Sequence, residues 1–259
     1  MPDSGDDAAA VPAAAAEMFG AVLPQARRYA ALLTGSGVER GVVGPAEAEK
    51  IWDRHLLNCG VLARLIPAKG TLVDVGAGAG LPGIVLALLL PGVKVTLLEP
   101  LARRVDFLNE CVADLGLRNA TVLRGRAEEL AGRLLADVVT ARAVAPLDKL
   151  VGLTLGLVRP GGRVLAMKGA SAEAELAKAL PVLARFGVAD ARVVQAGSAD
   201  GSVTATVVTF TAPEHRGSAV GTGRAQGRPD ARPAGRPSSH GPAVTGNRKT
   251  RPNSRRGGG

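Results

Sequence analysis

Apolar positions recur along this chain at two periods, and where each period applies decides the elements. From Pro12 to Leu33 the spacing is helical, and the run is stopped by Thr34-Gly35-Ser36-Gly37. A second helix is predicted to open after Gly44-Pro45 and to end before Pro67. It sets Ile51, Leu56, Leu57, Val61, Leu62 and Leu65 on one face and Glu47, Glu49, Lys50, Asp53 and Arg54 on the other. From Thr71 onward short β-rich runs alternate with helical ones. Strands are expected at Thr71 to Val75, Val93 to Leu98, Ala120 to Leu123, Asp137 to Thr140 and Arg163 to Met167. Helices are expected from Pro82, over Leu101 to Leu115, near Glu128, from Leu147 and over Glu173 to Phe186. Two late strands, about Val188 to Val194 and Val203 to Phe210, follow one another through a loop around Gly197 and Gly201. Strand-helix alternation predicts an α/β, Rossmann-like sheet, and the consecutive late strands predict a closing hairpin with one antiparallel strand, seven strands in all. The expected organisation is an unstructured 1–11, a helical extension over 12–66, a main domain over 67–211 and a tail over 212–259.

Composition narrows this picture without changing it. The chain of 259 residues is 46% hydrophobic yet only 2% aromatic, so Leu, Val and Ala must build the core and few rings are left for stacking on bases. Trp52 and Tyr29 are read as core residues. Cys59 and Cys111 have no metal-ligand spacing and read as reduced core thiols, which suggests the cytoplasm. No metal site is expected. The Ala-rich stretch from Ala8 to Ala16 follows Asp3, Asp6 and Asp7 rather than basic residues, so it does not read as an export signal. The apolar run Ile84 to Leu90 is too short to span a bilayer, so no membrane partner is expected.

The formal charge of +9 is concentrated at one end. From Glu214 to Gly259 there are ten Lys and Arg against two acids, which leaves the rest almost neutral. That tail is Gly, Pro, Ser and Arg, predicted to be disordered and suited to nonspecific phosphate contacts with RNA.

The chemistry gathers at strand ends, where a parallel sheet binds its ligands. Leu72-Val73-Asp74-Val75-Gly76-Ala77-Gly78-Ala79-Gly80-Leu81-Pro82-Gly83 is an apolar strand running into a glycine-rich loop and then a helix. Glycines there permit the tight turn and let a ligand approach the backbone. The next strand ends in Glu99, placed to hold ribose hydroxyls. A literal G-x-G-x-x-G string runs from Gly78 to Gly83, but neither register gives a clean dinucleotide fingerprint. Acid-x-Gly-x-Gly-x-Gly at a strand end is instead the usual first motif of S-adenosylmethionine (SAM) methyltransferases. Asp74 suits a cofactor that carries an ammonium and a sulfonium but no phosphate. After the third strand, Arg124-Gly125-Arg126-Ala127-Glu128 offers backbone and an acid to an adenine edge. Arg126, Arg142 and Lys168, each just past a strand end, are expected to converge on one basic rim for a polyanionic substrate.

Six strings resemble the small-subunit ribosomal RNA guanine-N7 methyltransferases (RsmG, formerly glucose-inhibited division protein B). They are Arg54-His55-Leu56-Leu57-Asn58, the loop from Asp74 through Gly83-Ile84, Arg103-Arg104-Val105-x-Phe107-Leu108, Arg126-x-Glu128-Glu129, Ala141-Arg142-Ala143 and Met167-Lys168-Gly169. The resemblance spans about residues 45–210. It implies methylation of N7 of one guanosine, at about position 527, in the 530 loop of 16S rRNA, with 16S rRNA or the small ribosomal subunit as partner. It also implies cofactor contacts at Gly76, Leu81, Ala127, Glu128 and Arg142. Many members carry an Asn-Leu-Thr string where this chain reads Val38-Glu39-Arg40-Gly41-Val42-Val43-Gly44-Pro45, and Arg40 is the candidate substitute.

The residues fit that reaction on their own terms. Guanine N7 has a free lone pair, so no general base is required, and no catalytic residue is assigned beyond positioning. No Asn/Asp-Pro-Pro-Tyr string follows the fourth strand and no Pro-Cys pair is present, which disfavours adenine-N6 and cytosine-C5 methylation. Arg142 and Lys168 are candidates to hold the RNA backbone or the guanine O6, with His55 a candidate RNA contact or a core residue. Three other functions stay open: a methyltransferase of this fold acting on another RNA or a small molecule, an NAD-dependent dehydrogenase, and a non-catalytic RNA-binding module. The dehydrogenase lacks a proton-handling group, since two of the three histidines, His215 and His240, lie in the tail.

Overall fold

A computed structural model describes residues 11–214. The expectations for residues 1–10 and for the basic tail from His215 onward, with His215 and His240, lie outside the described residues.

The seven strands are β1 (Gly70–Val75), β2 (Val93–Glu99), β3 (Ala120–Arg124), β4 (Ala136–Arg142), β5 (Val158–Lys168), β6 (Arg192–Gly197) and β7 (Thr204–Thr211). Their order in the sheet is β3-β2-β1-β4-β5-β7-β6. The first five are parallel; β7 pairs antiparallel with β5 and β6 antiparallel with β7. The single antiparallel strand is therefore inserted beside β5 and the hairpin's first strand forms the edge. That first strand starts at Arg192, four residues later than its hydrophobicity suggests, because Val188 is spent on the core just after the preceding helix.

Helices clothe both faces: α6 (Gly83–Leu89) and α7 (Ala102–Asp114) on one, α9 (Leu147–Leu155) and α10 (Ala172–Arg185) on the other, with the short α8 (Ala127–Leu130) after β3. The strands are apolar on both sides because both sides are covered. Along β1, Leu72 packs with the α6 side, whereas Val73 and Val75 pack with the α9 side. Strand ends are level: Val75 pairs with Leu98 and with Ala141, and Arg142 pairs with Met167. The residues that follow β1, β2, β4 and β5 thus emerge along one edge.

The helical extension is more broken than its periodicity implies. The first helix divides into α1 (Ala13–Phe19) and α2 (Leu23–Thr34) at Gly20, whose φ of 46° is left-handed, with Pro24 opening the second piece. The two short helices α3 (Ser36–Glu39) and α4 (Pro45–Ala48) come next. The run expected to be one helix to residue 66 then becomes a wide π turn over Ile51–Leu57, α5 (Asn58–Gly60) and a 3-10 turn over Val61–Leu65. The wide turn buries Ile51, Trp52, His55, Leu56 and Leu57 together. Trp52 meets Phe19 edge to face, ring centroids 6.2 Å apart, which docks the extension to itself above the sheet. Just past β7, Ala212 is buried and its amide donates to the Gly162 carbonyl. No helix among the described residues is long and apolar enough to cross a membrane.

Candidate active site

The glycine loop after β1 is held by three groups from three directions. Asp74 is fully buried, and its Oδ2 accepts the Gly83 N–H at 2.9 Å, which pins the start of α6 to the strand. Its Oδ1 has no hydrogen-bond partner among the described residues. Burial pushes the Asp74 carboxyl up to about 7, against the pull of the Gly83 N–H and the Arg142 guanidinium. Glu99, equally buried, accepts the Gly78 N–H on Oε2 at 2.9 Å and the Leu101 N–H on Oε1 at 3.0 Å. From the extension, the buried Tyr29 hydroxyl donates to the Ala79 carbonyl at 2.7 Å. Tyr29 is the core residue the sequence suggests, and it is also a clamp on the loop.

The glycines do different work. At Gly83 a Cβ would come within 2.3 Å of Leu97 and 2.7 Å of Asp74 Oδ2, so this position is glycine for helix-strand packing. Gly78 has φ +58°, and a Cβ there would meet only a backbone oxygen at 3.7 Å. Open space lies in front of that backbone, as a ligand cradle requires. Gly76, at φ +66°, faces Val144, which would be 2.9 Å from a Cβ.

A cavity of about 240 Å³ opens over this loop, walled by Gly76, Gly78, Leu81, Arg104, Arg142 and the Val42–Gly44 stretch of the extension. Beside it runs a wider cleft of about 1070 Å³, bordered by Arg54, Asn58, Arg142, Lys168, Lys178 and Thr206. Glu47, Arg142 and Ala143 wall both. Ala143, directly after β4, has a φ of 55°, uncommon for a residue with a Cβ, and it swings Val144 over Gly76.

Arg142 is held tightly. One guanidinium nitrogen donates to Cys59 Sγ at 3.2 Å; the other donates to His55 Nδ1 and lies 3.4 Å from the Arg54 carbonyl oxygen. His55 and Cys59 sit four residues apart on the turns that follow α4, so both reach the end of β4. Burial pushes the Cys59 thiol up to about 11, leaving it neutral, and both cysteines are free and buried, as expected for core thiols.

The expected rim divides. Arg142 and Lys168 border the wide cleft, but Arg126 does not. The sheet order explains this correction: β3 and β5 stand four strand spacings apart, roughly 19 Å, with β2, β1 and β4 between them. Arg126 instead opens α8, its backbone N–H donating to Glu129 at 3.2 Å, with Ala127 buried and Glu128 exposed beside it. These residues flank Glu99, whose carbonyl accepts the Gly125 N–H. Lys168 is already engaged: its Nζ donates to the Ala145 carbonyl at 2.8 Å and to Glu175 Oε2 at 2.7 Å. Arg40 is not in the site but pairs with Glu110 on α7 at 2.7 Å. The residues missed in the sequence are Lys178 and Thr206. Nothing local marks them, because α10 and β7 reach the cleft only through the sheet order. Among the described residues no group of His, Cys, Asp or Glu is arranged to hold a metal ion.

A mostly parallel sheet of this order, with its one antiparallel strand beside β5, a glycine loop after β1 and an acid closing β2, defines a class I SAM-dependent methyltransferase fold. Within that class the match is specific. Residues 22–203 fit the family described as rRNA small subunit methyltransferase G, and the chain belongs to that family. It is 52% identical over 214 residues to the ribosomal RNA small subunit methyltransferase G of Thermobifida fusca, covering 82% of this chain and 90% of that protein. The protein of the same name from Mycolicibacterium gilvum is 51% identical over 211 residues, 79% of this chain and 92% of its own length. That from Streptomyces coelicolor is 49% identical over 208 residues, 80% and 87%.

Proposed function

We propose that this protein methylates N7 of one guanosine in the 530 loop of small-subunit rRNA, with SAM as methyl donor. The observation that carries the reading is the position of Arg142, a buried-edge cation on the wall shared by the glycine-loop cavity and the wide cleft. The cavity fits the cofactor: Gly78 leaves open space before the loop backbone, and Glu99, already turned toward the loop, is the acid for ribose hydroxyls. Gly76, Gly78 and Leu81 would line the cofactor, and Ala127 and Glu128 stand beyond Glu99 on the side of an adenine ring. Asp74 acts at one remove, by fixing the loop through Gly83. When bound, SAM supplies a methyl group activated by its sulfonium.

The chain's own contribution is placement. Guanine presents N7 and O6 on one edge, and a guanidinium donating to O6 leaves the N7 lone pair free. N7 loses no proton, so the wall between the sites needs a donor rather than a base. Arg142 is that donor. Arg54, exposed at the cleft mouth, and Lys178 on α10 supply phosphate contacts that fix the RNA without reading it. Lys168 supports them structurally, because its charge is spent on Glu175. The localisation that follows from this substrate is the cytoplasm.

Incubating the purified protein with radiolabelled SAM and either naked small-subunit rRNA or the assembled subunit, then mapping the label by digestion, tests the assignment. The expected product is N7-methylguanosine in the 530 loop. Label on another base or at another position would overturn the target.

A further inference from the structure

The contacts behind Arg142 are more elaborate than a substrate-binding arginine requires. Arginine cannot be deprotonated in a protein and has no acceptor, so the short contact from its guanidinium to His55 Nδ1 makes Nδ1 the acceptor. The proton of a neutral His55 is then on Nε2. That atom is buried and lies 2.8 Å from Glu47 Oε2, though off the line of an aligned hydrogen bond, so Glu47 holds the tautomer by charge. Glu47 is on α4 and His55 on the wide turn that follows, both in the helical extension, whereas Arg142 ends β4 of the sheet. We propose that Glu47 and His55 are positioning residues for Arg142: the neutral imidazole fixes the guanidinium on the wall between the two cavities, and protonation of His55 releases it.

The charged groups that face His55 are Arg142 from β4, Glu47 from α4 and Arg54 on its own turn. Burial lowers the affinity of the ring for a second proton, Arg142 lowers it further, and Glu47 opposes both. His55 is therefore neutral and able to accept at neutral pH. On acidification Nδ1 gains a hydrogen, the acceptor is lost and two cations face each other. The Cys59 thiol and the Arg54 carbonyl are then the remaining partners of Arg142, and both are weak.

This inference rests on reading the two cavities as cofactor and RNA sites, and its test separates the two. Methyl transfer to small-subunit rRNA is measured from pH 5 to 8 for the native protein, His55→Leu and His55→Asn, with kcat and KM resolved and melting temperatures recorded. SAM affinity is followed by calorimetry over the same range. The native protein is expected to lose kcat/KM and SAM affinity on the acid side. His55→Leu should lose about tenfold or more of kcat/KM at neutral pH through misplacement of Arg142. His55→Asn offers its side-chain oxygen in place of Nδ1 and cannot titrate, so it should recover most of that loss and show no acid limb. If His55→Asn keeps the native acid limb in both assays, or if folded His55→Leu is as active as the native protein, the proposal is wrong. Should His55→Leu fail to fold, the Asn comparison alone decides. Methylation at a site outside the 530 loop would overturn the target assignment and leave the pH comparison intact.

Discussion

At the end of β1 and at the end of β5 the sheet carries a charged side chain of opposite sign, Asp74 and Lys168, and the two are treated differently. Lys168 meets a full counter-charge: Glu175 takes its Nζ on Oε2 while also accepting the Leu147 N–H, and Ser171 donates to the other oxygen. Three elements are tied there, and the Lys168 partner holds the Glu175 carboxyl below the usual range. Asp74 is buried more deeply and, among the described residues, has one aligned donor and keeps one oxygen without a partner. Its carboxyl is pushed up to about 7. A protein built for stability alone would pair this acid as it pairs Lys168. The lesson is that the glycine-loop end of the sheet leaves a buried carboxyl only partly matched and titrating near neutrality, whereas the cleft end is neutralised at Lys168, with Arg54, Lys178 and Arg142 along its border.

The sharpest way to test the packing half of this contrast is Gly83→Ala. A Cβ there overlaps Leu97 and Asp74, so stability should fall by about 3 kcal/mol in denaturant unfolding, a cost typical of overpacking. Gly78→Ala, with open space before it, should lose only about 1 kcal/mol for its left-handed backbone while weakening SAM binding in calorimetry. Between these two in size, Lys168→Met strands the half-buried Glu175 carboxylate and should cost about 2 kcal/mol, discounted for partial exposure. A methylation defect in that variant larger than its loss of folded protein would return Lys168 to the RNA contacts.

The Asp74 half is tested through pH. A carboxyl raised in the folded state binds a proton more tightly there than in the unfolded chain, so its contribution is full at low pH and is lost as pH rises through about 7. Between pH 6 and 8 the ligand-free protein should lose on the order of 1 kcal/mol from this one group, and Asp74→Asn should flatten that slope in melting curves. The acids lowered by surface or half-buried partners, such as Asp137 and Asp190, act in the opposite direction and only in the acid range. Equal to Gly78→Ala in size is Tyr29→Phe, which removes one buried hydrogen bond to the loop and should cost about 1 kcal/mol with a parallel loss of SAM affinity.

Much of this molecule was legible in its sequence. The short apolar runs of β1 and β2, the glycines after Asp74 and the acid at Glu99 are local patterns, and local patterns set the strands, the loop between them and the level strand ends on which a site forms. The antiparallel hairpin was equally plain, since two strands joined by a short loop can only pair back on each other. What the pattern could not carry was distance across the sheet. Arg126, Arg142 and Lys168 look equivalent along the chain, yet strand order puts Arg126 after β3, away from the cleft that the other two border. Nor could it show that Lys168 is neutralised by a glutamate seven residues on, that Arg40 is held by Glu110, or that Gly20 and the wide turn break two regular helices. Those outcomes depend on which groups compete for one partner once the chain has closed on itself. The sequence by itself determined the fold class, the glycine loop and the acids that border it, because each arises from neighbours a few residues apart. Only the tertiary structure decided which charges are spent and which are free, and it set His55 behind Arg142, because such pairings join groups that are close in space and far apart along the chain.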